Sequence, residues 1–163
     1  MISPGEKGIA DAFFYYVDAV DKRNHIPKEL WDTGFFSYLL TSKQKANIQK
    51  ICKSQGWSIP KNIQGITIQG HFIKHVLNAR VGKDNITPLE CADILAKSFH
   101  KNGEVGVNVE YENQGMILNS KNRVEVKGNS RYSMAMFDVK DDNLSPVTAY
   151  DADRAKINKK KGR

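Results

Sequence analysis

An α+β protein is what this sequence predicts, with N-terminal helices followed by a helix pair packed on an antiparallel β-meander. Three observations carry that expectation. Apolar residues recur every three or four positions through roughly the first hundred residues. From Glu104 the period switches to two. Short turn-forming stretches then separate the alternating runs, which suits strands joined by hairpins.

Taken in order, Ile9, Ala12, Phe13, Tyr16, Val17 and Val20 mark a first helix ending near Asp21-Lys22-Arg23-Asn24. A second is expected from Pro27 through Leu40, with proline in the first turn, where its missing N–H costs nothing. Thr41-Ser42 caps a third, from Lys43 to Ser54, and Gly56 stops it. Residues 58–62 read as a linker, so 1–60 form a helical N-terminal segment and 61–163 an α+β domain. The aromatics of the first segment read as core rather than as a binding platform.

Beyond the linker, a β-prone run, Ile66-Thr67-Ile68, turns into a helix whose apolar stripe is Phe72, Ile73, Val76, Leu77 and Ala79. The opposite face carries His71, Lys74, His75 and Asn78 in one row, with no acid between Lys61 and Lys83 to neutralise it. Thr87-Pro88-Leu89-Glu90 then opens a helix running to about His100, with Thr87 as N-cap and Glu90 completing a capping box. The strands expected next are Val105 to Tyr111, Met116 to Leu118, Arg123 to Lys127, Ser130 to Val139 and Pro146 to Tyr150. The turns fall at Asn119–Asn122, Gly128-Asn129 and 141–143.

Composition narrows the class. The chain has 163 residues, 40% hydrophobic and 26% charged, ordinary for a globular protein. No apolar run approaches a membrane span, no secretory leader opens the chain, and stable membrane insertion is not expected. Cys52 and Cys91 read as buried thiols of a protein working in a reducing compartment. The net charge of +7 is concentrated in the tail, where Arg154, Lys156, Lys159, Lys160, Lys161 and Arg163 stand without an acid. The tail is expected to be disordered when free, and the rest of the chain is nearly neutral.

Alternation places Thr148 and Tyr150 on one face of the last strand. On the strand before it, Arg131, Ser133, Ala135 and Phe137 share a face opposite Tyr132, Met134 and Met136. If the open sheet face met the polar row of the histidine helix, one cleft would hold His, Lys, Arg, Thr and Tyr. That set suits an RNA phosphodiester. An imidazole can move the 2′-hydroxyl proton, Lys74 and Arg131 can stabilise charge on the phosphorane oxygens, and Thr148 and Tyr150 can position the substrate. Tyr132 could stack on a base. Each residue also has a plainer reading: Arg131 as a cross-strand ion-pair partner, Thr148 and Tyr150 as sheet formers, the histidines as surface groups.

A strand and helix bearing His71 and His75, a second helix opened by Thr87-Pro88, and a meander ending in Val147-Thr-Ala-Tyr150 before a basic tail form a recognisable order. It resembles the barnase/EndoU/colicin/RelE-like group of RNase toxin domains, found at the tips of contact-dependent inhibition proteins and fused to phage head proteins. The resemblance spans Ile63 to Arg163. It implies a cofactor-free, metal-independent endoribonuclease that leaves a 2′,3′-cyclic phosphate, commonly in tRNA, and a cognate immunity protein. It also implies action in the cytoplasm of a bacterial target after release from a larger secreted or virion-associated protein, with residues 1–60 as a delivery annex. Position by position, His75 or His71 matches the helix histidine, Arg131 the strand arginine, and Thr148 and Tyr150 the terminal-strand pair. Barnase itself uses a glutamate base, for which Glu110, Glu112 and Glu125 are the candidates here.

Two other classes compete. One is an RNA- or partner-binding module without catalysis. The other is a zinc hydrolase, because His71 and His75 have the i, i+4 spacing of a zinc pair. Phe72 stands where the familiar zinc-protease motif has glutamate, and a third ligand would have to come from His100, Cys91 or a distant carboxylate. A nucleotide-using enzyme such as an ADP-ribosyltransferase ranks below both, for want of a glycine-rich phosphate loop.

Overall fold

The computed structural model describes residues 6–111 and 113–163. Helix α1 (Glu6–Asp21) and the short α2 (Lys28–Thr33) precede strand β1 (Phe36–Leu39) and helix α3 (Ser42–Gln55). Strand β2 (Gly65–Ile68) runs into α4 (Gly70–Leu77), which continues as a π-helical segment over Asn78–Lys83. Helix α5 (Pro88–Ser98) leads to β3 (Glu104–Val107), β4 (Gly115–Val126), β5 (Asn129–Lys140), β6 (Asn143–Ala152) and a final helix, α6 (Arg154–Lys160). The α+β layout is as expected: helices first, then a four-stranded antiparallel meander ordered β3-β4-β5-β6. No helix among the described residues is long and apolar enough to cross a membrane.

Local chemistry explains the helix starts. Thr41 and Gln44 form a capping box at α3, and Thr87 and Glu90 another at α5, each side chain satisfying an orphan N–H of the first turn. Glu90 reaches further, accepting the Lys127 N–H at 2.8 Å, so one carboxylate ties the α5 N-terminus to the β4–β5 turn.

Three expectations fail. The helix expected over 27–40 ends at Thr33, because Gly34 adopts φ +110° and the chain turns into β1. Phe36 and Tyr38 then pair in register with Ile68 and Ile66 of β2. The apolar run Phe35 to Leu40 fits either period, and a partner strand thirty residues away decides it. Asn119–Asn122 is a register shift inside one long strand rather than a turn. There the Asn122 N–H finds the hydroxyl of buried Ser120 at 2.9 Å, so the irregularity is satisfied without reversing the chain.

The basic tail, expected to be disordered, is helix α6 packed on the sheet. Asp153 caps it by accepting the Lys156 N–H at 2.8 Å, and Ile157 is buried with Ile117, Met134, Met136 and Tyr150. Lys161 is 7% exposed, its stem lying on Gly106, where a β-carbon would come within 2.8 Å of it. Glu104 takes Arg163 at 3.0 Å and approaches Lys161 at 3.8 Å. An amphipathic lysine can bury its methylenes while its head stays paired, so a lysine run is compatible with docking.

The sheet thus has two covered faces. Met116, Leu118, Val124, Ala135, Phe137 and Ala149 face the main core, with Phe13 of α1, Ile73 and Val76 of α4, and Ile94 and Leu95 of α5. Residues on both sides of the expected boundary near 60 share this core. Phe13 anchors it with ring centroids 4.8 Å from Phe36 and 5.4 Å from Phe99. The opposite face, bearing Tyr132, Met134, Met136 and Tyr150, is crossed by α6.

Candidate functional site: a cation-lined hollow beside the last strand

Arg80 sits in register with the apolar stripe of α4, seven residues after Ile73 and four after Val76. Its side chain is correspondingly 16% exposed. The π-helical turn widens the backbone here, a distortion often found at functional positions. Arg80 Nη1 donates to Asp84 Oδ2 at 2.6 Å, and its Cζ stands 5.3 Å from the centre of the Tyr150 ring. Its Nε is buried without a hydrogen-bond partner.

Around this pair lies a hollow of about 380 Å³, lined by Arg80, Asp84, Lys127, Arg131, Tyr150, Asp151 and Lys156, among others. Arg131 Nε lies 2.7 Å from Asp151 Oδ2, a tight ion pair whose N–H is not aimed at the oxygen. The cross-strand ion-pair partner expected for Arg131 therefore exists, in Asp151. Lys156 Nζ is 4.6 Å from the Tyr150 ring centre. Four cations against two carboxylates leave the hollow positive, with guanidinium N–H groups held in a partly dry setting where they act strongly on an anion.

Tyr150 is 9% exposed. Burial pushes its phenol above the ordinary value, although Lys160 and Arg80 pull it back, so the group is protonated at neutral pH and can donate. Lys160 bridges Tyr150 to Glu110, its Nζ 2.5 Å from the Glu110 carboxylate. That hydrogen bond keeps Glu110 below its usual range and leaves it paired. On the same sheet face, Tyr132 lies beneath two guanidinium groups, Arg123 at 4.8 Å and Arg154 at 4.4 Å, and its hydroxyl accepts from Arg123 Nη2 at 2.9 Å. Two tyrosines, each flanked by two cations, therefore mark the α6 side of the sheet.

Of the residues expected to form one cleft, the structure brings Arg131 and Tyr150 together and leaves the histidines elsewhere. α4 presses Phe72, Ile73 and Val76 against the core, so His71, Lys74 and His75 point outward, away from the sheet. Tyr150 belongs to the cluster on the far face, and Thr148 shares that face, paired with Met136. The shared cleft of imidazoles and hydroxyls is not formed, because the apolar stripe that attaches α4 to the core fixes its polar row on the other side. His71 instead neighbours Trp31, with ring centroids 6.1 Å apart, and Lys74 lines a separate hollow with that indole. Thr148 does not line the hollow around Arg80.

Among the described residues, no three His, Cys, Asp or Glu side chains gather to hold a metal ion. Cys91, a potential third zinc ligand, is fully buried, whereas His75 is exposed. Of the possible general bases, Glu110 is paired with Lys160, Glu125 lies on β4 opposite Ser130, and Glu112 lies outside the described residues. Sequence reasoning missed Arg80 and Lys156. An arginine in register with a buried stripe was the available signal for the first. The second was hidden in a lysine run that reads as solvated tail.

No protein-family model, curated protein or solved structure matches this chain.

Proposed function

We propose that this protein is an RNA-cleaving domain of the toxin type, with a substrate phosphate seated in the hollow between β6, α6 and the π-helical segment. One observation carries the reading: the protonated Tyr150 phenol has both Arg80 and Lys156 within cation–π distance of its ring, in a hollow shared with Arg131. Arg80, whose buried Nε lacks a partner, and Arg131 supply N–H donors for the phosphate oxygens as charge gathers on them. Tyr150 donates to the phosphate or to the leaving 5′-oxygen. A phosphate competing for Arg80 or Arg131 releases Asp84 or Asp151, and the freed carboxylate is the base for the 2′-hydroxyl proton. The products are a 2′,3′-cyclic phosphate and a 5′-hydroxyl. Lys127 at the hairpin turn and Lys156 extend the positive track along the strand.

The test is incubation of the purified, folded chain with total tRNA in excess chelator, followed by end-group analysis. Cyclic phosphate ends that disappear in Arg80→Ala and Tyr150→Phe are the expected result. Intact RNA at high protein concentration would remove the catalytic claim.

A second reading, RNA binding without cleavage, is favoured by the absence of an imidazole from the hollow and by the ion pairing of both its carboxylates. It predicts saturable, salt-dependent binding to tRNA that Arg80→Ala weakens, with no cut ends. The tRNA preference, a cognate immunity protein and cytoplasmic action in a bacterial target belong to the toxin reading and share its fate.

A further inference from the structure

The polar row of α4 leads to a second site. Lys74 and Asn78, one turn apart, form one wall of a hollow of about 620 Å³ between α1, α2 and α4. The volume is in the range of small-molecule sites. Its floor is apolar, supplied by Val20, Leu77 and Val81, and Trp31 stands at its side. The indole is held from behind: Phe35 meets it edge-on at 5.1 Å, and a β-carbon at Gly70 would fall 2.1 Å from the ring. Nothing larger than glycine fits there, so the α4 backbone fixes where the Trp31 ring sits.

The opposite rim is built from the end of α1. The chain leaves that helix with Arg23 at φ +56°, and the Asn24 N–H closes onto Ala19 O at 2.9 Å. Glycine takes that left-handed position without strain and is the usual residue there. Arg23, held in it despite the steric cost, lines the hollow together with Lys74. Neither cation has an ion-pair partner among the described residues, and Asp21 is the one carboxylate on the lining.

An indole wall, an apolar floor, two unpaired cations and the amides of Asn24 and Asn78 suit a flat aromatic ring carrying an anionic group. We propose that this hollow binds a nucleoside monophosphate unit, its base stacked on Trp31 and its phosphate held by Lys74 and Arg23. The amides would contact the base edge or the sugar. The site is separate from the hollow around Arg80 and does not depend on cleavage there. The same chemistry is offered by a free nucleotide and by one residue of an RNA strand.

Trp31 and Trp57 are the two tryptophans, so Trp57→Phe leaves Trp31 as the sole indole reporter. Stacking of a base should quench its fluorescence saturably with AMP or GMP, and much less with the nucleoside or with inorganic phosphate. Lys74→Ala, at an exposed position, should weaken the binding about tenfold or more, as expected for loss of a charge-assisted contact. If Trp57→Phe folds poorly, calorimetric titration of the unaltered chain gives the same comparison. The measurements are repeated in Arg80→Ala, where persistence of the quench separates this site from the sheet hollow. Tighter binding of a short RNA than of the mononucleotide, still sensitive to Lys74→Ala, assigns the site to a strand. Equal affinity assigns it to the free nucleotide. Absence of saturation at millimolar mononucleotide and with the RNA, in both fluorescence and calorimetry, overturns the proposal.

Discussion

The guanidinium of Arg80 stands 5.3 Å from the centre of the Tyr150 ring, joining the π-helical segment to the last strand of the sheet. The contact orients a phenol that β6 presents and an arginine that the π-helical segment presents, two elements separated by most of the second half of the chain. Removing Arg80 should therefore affect function far more than folding. On the proposed function, Arg80→Ala is expected to lower RNA cleavage about a hundredfold or more, as for loss of a preorganised donor. Its effect on stability should be only about 1 kcal/mol, because Asp84 is exposed enough to rehydrate. Cleavage rates and denaturant midpoints measured on the same preparation check both halves.

The histidines give the sharpest contrast. His71→Ala and His75→Ala should each leave cleavage within about twofold, since neither ring lines the hollow and remote surface changes are usually near neutral. A large fall in the cleavage rate for either variant, with the fold intact by circular dichroism, would return the chemistry to α4.

Lys156 belongs to a helix, not to a loose arm. Lys156→Ala should flatten the plot of log affinity against log salt by about 0.7, the contribution of one phosphate contact to a single strand. Lys159→Ala, outside the hollow lining, should change it less. Filter binding at several salt concentrations separates the two.

α6 also covers the far face of the sheet. Ile157→Ala should cost about 2–4 kcal/mol, because the side chain is buried against Ile117, Met134 and Tyr150 and the cavity is only partly refilled. Urea unfolding measures the loss, and increased dye binding to the exposed methionines would accompany it.

Alkaline stability should depend on Cys91, whose thiol is pushed up to about 12 by burial, against a small opposing pull from Arg80. A folded-state value above the unfolded one means that the neutral thiol's stabilisation is complete below about pH 9. It is then lost as pH rises towards 12, at roughly 1.4 kcal/mol per unit. Denaturation at pH 7 and pH 10.5 should show a smaller decline in Cys91→Ala than in the unaltered chain. Tyr150 shifts in the same direction, from burial, and adds to the loss above pH 10.

Local rules carried much of the fold. Thr87-Pro88-Leu89-Glu90 announces its helix because a capping box is satisfied within four residues of chain, and Thr41 announces another as an N-cap. The switch to alternating apolar residues after Glu104 announces the meander, because side chains of a strand must face alternate sides. Where a segment's state depended on a distant partner, local reading failed. Phe36–Leu39 is a strand because Gly65–Ile68 lies beside it.

The sequence by itself determined which residues could carry chemistry: imidazoles in one row, an arginine on a strand, a terminal phenol, a run of lysines. Only the tertiary structure decided which of them meet. The apolar stripe of α4 had to face the core, so its histidines went outward while Arg80, in register with that stripe, was carried to the sheet. Ile157 needed burial, so the lysine tail coiled onto the far face and brought Lys156 to Tyr150. Each polar group lies where the burial of its apolar neighbours put it, and that long-range balance is invisible to any rule acting within a few residues.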